Sequence, residues 1–211
     1  MFLAKYIGDY MGVKLVIGPM SFDAGQTAVY TASVPMSVSG YVWTEERAES
    51  YEISDYYYDG DNKIEPVILI RTADAEKYTS SEGFNGFDSG AQNASLQMQL
   101  VTSQLPDANP VAVGDVGTGV LELQNGSIEA LAVAKGNAEI IMDANPDLVL
   151  CPWEFTITEE TEAFVILITK GETALLNVVN EALAKAYSEG MYGAWHDEAV
   201  ALAKVVNGTE E

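Results

Sequence analysis

The sequence predicts an α/β protein whose sheets, mainly parallel, are flanked by helices. Three observations carry that reading. Continuous apolar runs of strand length, VILI at Val67–Ile70 and FVILI at Phe164–Ile168, read as buried strands. Beyond residue 88 such runs alternate with stretches of helical periodicity, which is the pattern of βαβ units. A chain of 211 residues with 48% apolar and 20% charged side chains is a folded, globular one, long enough for one large domain or two small ones.

The elements follow in order. MFLAKYIGDYMG places Leu3, Tyr6, Ile7, Tyr10 and Met11 on one stripe of an amphipathic helix, and Gly12 supplies its stop. VKLVIGPMSFD (Val13–Asp23) has the apolar run of a buried strand that ends in a loop at Pro19. GQTAVYTASVP is a weaker segment, MSVSGYVW is a strand, and TEERAES is a charged turn. YEISDYYYDGDNK holds a short strand and a tyrosine-rich loop with the turn dipeptide Asp59-Gly60. IEPVILIRT (Ile64–Thr72) is a strong strand, and residues 73–88 are polar and rich in Gly and Ser. ASLQMQLVTSQL is a helix, NPVAV a strand, GDVGTGVLELQN a helix, SIEALAV a strand and AKGNAEIIMDANPDL a helix. VLCPWEFTI is extended, EAFVILITKG is a buried strand, and two or three helices close the chain, with Glu172 as an acidic start. TASVPMSVSG (Thr31–Gly40) and NGSIEALAVAKG (Asn125–Gly136) echo each other weakly as helix end, turn, strand and glycine-bearing loop, which suggests two lobes of similar build.

Charge and rare residues exclude several functions. Thirty-two acidic residues against ten basic ones give −22, so a phosphate backbone and an anionic membrane surface are both poor partners. The acidity reads as a solvated surface, or more sharply as steering of a cationic ligand. The single cysteine, Cys151 in the apolar run LVLCPW, allows no intrachain disulfide and reads as a small buried hydrophobe. The single histidine, His196, has neither cysteines at zinc spacing nor a GxSxG serine to serve, so no metal, cofactor or catalytic triad is expected. No apolar run reaches the roughly 18 residues of a membrane span. Lys5 and Asp9 interrupt the N-terminal apolar stretch, so it is not read as a signal peptide.

Other motifs weigh little. GDVGTG (Gly114–Gly119) lacks the order of a dinucleotide fingerprint. NAS, NGS and NGT match the glycosylation rule as short chance matches do. EETE (Glu159–Glu162) lacks the glycine of a calcium loop. Tyr56, Tyr57 and Tyr58 could line a cleft or pack their loop against the body. Arg47 is more informative. It follows a strand at the C-terminal edge where open α/β sheets bind ligands, and its forked donors suit a planar carboxylate. Backbone amides from Gly40 to Val42 could add to the same site. The alternative is a surface arginine paired with Glu45, Glu46 or Glu49, and spacing does not choose between the two.

The joint order of LAKYIGDYMGVKL, PMSFD, TEERAES with ISDYYY, VILIRTADAEKY, GAQNASLQ, LQNGSIEAL, ANPDL and the closing ILITKGETALLNVVNEALAKAYSEGMYGAW resembles the family 3 extracellular solute-binding proteins of amino-acid ABC importers. The resemblance runs over nearly the whole chain. It implies a two-lobe periplasmic-binding-protein-like fold of type II, with a cleft between lobes that close on the ligand by hinge motion. Residues 1–72 and 162–211 would form lobe 1, and 73–161 an inserted lobe 2. It also implies a monomer outside the cytoplasm, working with an ABC permease, without cofactor or catalysis.

Site residues come over by position. Phe22 stands where the family places an aromatic plate, Ser39 and Gly40 where hydroxyl and backbone groups meet the ligand, and Arg47 at the carboxylate clamp. Ser95 stands in the second-lobe loop facing that carboxylate. Three positions depart from the family: Val42 and Leu96 replace hydroxyl residues, and Ala134, followed by Lys135, replaces the aspartate that pairs the ligand's ammonium. An ordinary α-amino acid would then bind weakly, or the ligand would lack the amine, or another carboxylate would substitute. The family also opens with a strand ahead of the first helix. Its absence here implies an N-terminally truncated chain whose first-lobe sheet has unpaired edges. Two alternatives to a receptor stay open: a degenerate or sensor-type module, and a dehydratase-like enzyme using Asp23, Glu46 or Lys135 as acid or base.

Overall fold

The computed structural model describes residues 1–57, 65–157 and 164–206. In chain order the elements are α1 (Phe2–Tyr10), α2 (Phe22–Tyr30), β1 (Met36–Val42), α3 (Glu45–Ser50), β2 (Glu52–Ile53), β3 (Pro66–Arg71), β4 (Asp88–Gln92), α4 (Leu96–Gln104) and β5 (Asn109–Val113). There follow α5 (Val116–Asn125), β6 (Ala130–Ala134), α6 (Lys135–Ala144), β7 (Leu148–Leu150), β8 (Phe164–Ile168), α7 (Thr173–Ser188) and α8 (Met191–Val206). The chain forms two compact units: residues 1–20, 24–63 and 159–211, and residues 21–23 and 64–158.

The first unit is built on a three-stranded antiparallel sheet in the order β1-β8-β2. The apolar run predicted as a buried strand is its centre: Val165, Ile166, Leu167 and Ile168 of β8 are fully buried. Val42 pairs Phe164 and Met36 pairs Ile168, with a bulge between Ser37 and Tyr41. One face carries Ile166 and Ile168 against Leu3 and Ile7 of α1, Val179, Leu183 and Ala186 of α7, and Tyr192 of α8. Burying aliphatic side chains of this size contributes about 1.5–3 kcal/mol each, which anchors the terminal helices on the sheet. Gly25 lets α2 approach β1, because a Cβ there would stand 2.8 Å from the Tyr41 hydroxyl and 3.0 Å from Ser37 Oγ.

The second unit holds a five-stranded sheet in the order β5-β4-β6-β3-β7. The crossovers through α4 and α5 make β4 parallel to β5 and β6, whereas β3 runs antiparallel to β6 and β7. The sheets are therefore mixed. Parallel pairing is confined to the strands that a crossover helix joins, so antiparallel pairs are the more numerous among the described residues. Leu69, Val113, Val120, Leu123, Ile128, Leu131 and Val133 make the core. Asp115 caps α5 by accepting the Thr118 N–H at 2.9 Å, and Gly126 ends the helix at φ 80°. Arg71 Nη1 donates to the carbonyls of Leu123 (2.7 Å) and Ile128 (2.9 Å), tying the end of α5 to the segment that follows it.

The structure corrects three local expectations. Val13–Asp23 is not a strand: Val13–Ser21 is coil, and only Phe22 and Asp23 belong to an element, the start of α2. A strand needs a neighbour for its backbone groups, and none of the described residues pairs with this run. GQTAVY lies in α2, where Gly25 and Val29 are buried, so tertiary contact overrides a weak propensity. TEERAES is a helix start, because Thr44 caps α3 by accepting the Arg47 N–H at 3.2 Å. DSGAQ, which the sequence reading left unassigned, is the interior strand β4 between β5 and β6, too poor in apolar residues to announce itself. Tyr58, Asp59-Gly60 and Glu159–Glu162 lie outside the described residues.

Candidate functional site

In the first unit the residues expected to bind gather around the end of β1 and the start of α3. Arg47 is only 5% exposed. Its Nη1 donates to the Val42 carbonyl at 2.8 Å, and its Nε donates to Gln26 Oε1 at 3.4 Å. The guanidinium carbon lies 5.8 Å from the centroid of the Tyr41 ring, a cation–π distance. Burial depresses the Arg47 pKa, opposed by Tyr41, Tyr51 and Glu46. The depression is immaterial to charge at neutral pH, since an arginine stays protonated. The Tyr51 hydroxyl donates to the Gln26 carbonyl at 3.2 Å, fixing the residue that holds Nε. The expectation of an arginine displayed beside its acidic neighbours does not describe this geometry. Arg47 turns inward, and Glu45, Glu46 and Glu49 are exposed.

The neighbouring positions differ in availability. Val42 is 2% exposed and its carbonyl serves Arg47. The carbonyl of half-buried Ser39 accepts the Tyr57 hydroxyl. Gly40 is exposed, and a Cβ there would touch the Phe164 ring at 3.4 Å. Phe22, which belongs to the second unit, opens α2 and is half-buried.

In the second unit Ser95 is the cap of α4, with Oγ accepting the Met98 N–H at 3.1 Å. It is 3% exposed, and Ala94 before it turns at φ 57°. Leu96 is 7% exposed. The N–H groups of Leu96 and Gln97 have no acceptor among the described residues, so this helix end offers donors and partial positive charge to an anion. Ala134 closes β6 and opens α6 without a side-chain cap, as an alanine must. Lys135 pairs with Glu65 and stays exposed, and that hydrogen bond raises its pKa. Asp23 accepts from Ser21 Oγ at 2.6 Å and from Asn93 Nδ2 at 3.0 Å.

These surroundings do not make an acid–base pair. A lysine base needs a lowered pKa, and Lys135 has the reverse. Cys151 donates its thiol to the Tyr78 carbonyl at 3.1 Å, and burial pushes its pKa up, away from thiolate chemistry. No group of three or more His, Cys, Asp or Glu able to hold a metal occurs among the described residues. Among them no helix is long and apolar enough to cross a membrane.

Sequence reasoning singled out Arg47, Val42 and Ser95 and did not name Gln26 and Tyr41, which hold the guanidinium. Only the Thr44 cap left a local signal, a hydroxyl followed by two acidic residues in a first helical turn. Gln26 and Tyr41 act through tertiary placement, which no spacing reveals.

Two α/β units, the second with its βα crossovers leading into a capped helix, define the class of the type II periplasmic-binding-protein-like folds. The chain belongs to the bacterial extracellular solute-binding proteins, family 3, whose model matches residues 2–199. It is 22% identical over 191 residues to a probable histidine-binding protein of Campylobacter jejuni, covering 90% of this chain and 71% of that one. It is 25% identical over 149 residues to the ABC transporter glutamine-binding protein GlnH of Bacillus subtilis, covering 71% and 51%. It thus spans about half to seven-tenths of the lengths of these relatives. Among solved structures it matches the substrate-binding protein AbpA of Streptococcus pneumoniae bound to L-arginine, with a TM-score of 0.85, 23% identity, and 96% and 83% of the two chains covered. A second arginine-bound substrate-binding protein of that organism matches with a TM-score of 0.84, 28% identity, and 95% and 81% covered. The family and these neighbours are transport substrate-binding proteins, not enzymes.

Proposed function

We propose that this chain is an extracytoplasmic receptor of an ABC importer and binds a small carboxylate-bearing solute, an amino acid or a close relative. In the first unit Arg47 would meet the carboxylate, with Ser39 and Gly40 contributing polar contacts. Arg47 carries the reading. Its guanidinium lies at the end of β1, and its forked donors suit a planar carboxylate through charge-assisted hydrogen bonds. The histidine-, glutamine- and arginine-binding relatives support the amino-acid class.

The test is a thermal melt with a panel of arginine, histidine, glutamine and amine-free carboxylates. A ligand at 100 times its Kd adds about 2.7 kcal/mol of stability, a rise of a few degrees in Tm. One class of ligand should raise Tm in the wild type and leave Arg47→Ala unmoved. The same panel addresses a second reading, a degenerate module without a solute, which the apolar side chains of Val42, Leu96 and Ala134 favour. A sharp melt that no solute shifts would replace the receptor by that module.

A further inference from the structure

We infer that Asn125 is an acceptor for an N-linked oligosaccharide. The inference rests on the extracytoplasmic location proposed above, since such sugars are added to exported chains. The tripeptide rule alone does not separate an acceptor from a chance match, but the structure treats the described matches differently. Asn125-Gly126-Ser127 forms the turn that ends α5, and all three residues are exposed. Ser127 donates its backbone N–H at 2.9 Å and its hydroxyl at 2.6 Å to Asn125 Oδ1. An N–H can meet only the oxygen end of a carboxamide, so these bonds fix which end of Asn125 is held. Nδ2, the atom that takes the sugar, makes no hydrogen bond among the described residues.

Asn93-Ala94-Ser95 is the contrary case. Asn93 Nδ2 donates to Asp23 Oδ2 at 3.0 Å, so its nitrogen is already committed. Ser95 is 3% exposed, and its Oγ accepts the Met98 N–H as the cap of α4. A transferase that must reach both the amide and the hydroxyl finds the first bonded and the second buried. Asn207-Gly208-Thr209 lies outside the described residues.

The turn is firm and lies away from the start of α4. Arg71 Nη1 binds the carbonyls of Leu123 and Ile128, one on either side of the tripeptide, and Gly126 takes φ 80° between Asn125 and Ser127. The Glu129 N–H donates to the Asp88 carbonyl at 2.8 Å, which puts this turn beside the start of β4, whereas Ser95 and α4 follow the end of that strand. A sugar on Asn125 therefore leaves the N-terminus of α4 open. The reaction needs an oligosaccharide carried on a polyprenyl diphosphate. Nδ2 attacks the anomeric carbon and a C–N bond forms. The C–O bond to phosphate breaks, the polyprenyl diphosphate leaves, and one Nδ2 proton passes to a base of the transferase.

The test incubates the purified chain with an oligosaccharyltransferase of N-x-S/T specificity and a polyprenyl diphosphate-linked oligosaccharide, and reads the sites by peptide mapping and mass spectrometry. The folded chain should take sugar on Asn125 and none on Asn93, whereas a synthetic peptide spanning 90–98 should take sugar on Asn93. Ser127→Ala should slow transfer to Asn125 at least tenfold, and Ser127→Thr should keep it. A bare Asn125 under conditions that modify a peptide spanning 122–130 would overturn the proposal, and so would equal transfer to Asn93 and Asn125 in the folded chain. The exported protein recovered from its own cells should also carry the sugar on Asn125, and an exported chain without it would overturn the proposal. A chain retained in the cytoplasm would instead refute the receptor reading, which the transfer assay does not depend on.

Discussion

VKLVI at Val13–Ile17 and PVILI at Pro66–Ile70 are nearly the same word, yet one is exposed coil and the other the heart of a sheet. β3 has β6 on one side and β7 on the other, and Ile68, Leu69 and Ile70 are 2%, 0% and 0% exposed. Val13–Ile17 has no strand at either side among the described residues, and Val16 is 82% exposed. Local β-propensity is nearly equal in the two runs, so it cannot be what separates them. The difference lies in whether backbone donors and acceptors find partners when the side chains are buried.

Truncation breaks the comparison most sharply. Leu69→Ala opens a cavity in the core of the second unit and should cost about 2–5 kcal/mol. Val16→Ala removes only exposed surface and should stay within about 0.5 kcal/mol of wild type. Urea midpoints on the two variants check both, and equal losses would show that Val13–Ile17 is buried in solution.

Glycine substitutions sharpen the comparison at the next level. At Gly90 a Cβ would lie 2.6 Å from Ile128 Cδ1, in the packed layer beneath β4. Gly90→Ala should cost about 1–3 kcal/mol by overpacking. Gly25→Ala tests the first unit in the same way, because the Tyr41 hydroxyl and Ser37 Oγ stand in the path of its Cβ. It should also shift Tyr41 beneath Arg47 and so weaken solute binding, which calorimetry would read beside the melt.

Smaller effects come from caps and charges. Thr44→Ala and Ser95→Ala each remove a side-chain acceptor from a helix start, at about 1 kcal/mol. In the second unit Asp74 accepts from Lys77 and Arg71, and these bonds, that from Lys77 foremost, hold its pKa below the usual carboxylate value. A depressed carboxylate stabilises the fold fully above its unfolded pKa, about 3.9, and loses that contribution as pH falls through the lower folded value. Asp74→Asn should therefore lower the urea midpoint at pH 6, and the gap to wild type should close below pH 3. A gap that persists in acid would mean that the ion pairs do not form in solution.

The second unit was the more legible in the sequence, for a physical reason. PVILI, SIEALAV and the intervening helices announce themselves because burial on both faces forces apolar composition, while DSGAQ hid because glycine and alanine pack β4 under its helices. In the first unit, α2 and α3 rest on capping and on packing against β1, and propensity scarcely records either. The site divides likewise. Arg47 stood out as one of ten basic residues, but Gln26 and Tyr41 hold it across sequence separations that carry no pattern.

The most direct test of the receptor account watches the Arg47 guanidinium itself. Nitrogen-detected NMR of the Arg47 Nε–H, assigned by its loss in Arg47→Lys, would be followed during titration with the ligand that raises Tm and with its carboxyl amide. The account predicts that the carboxylate ligand moves this resonance in step with occupancy and that the amide neither binds nor moves it. Saturable binding that leaves the Arg47 signal in place would contradict it.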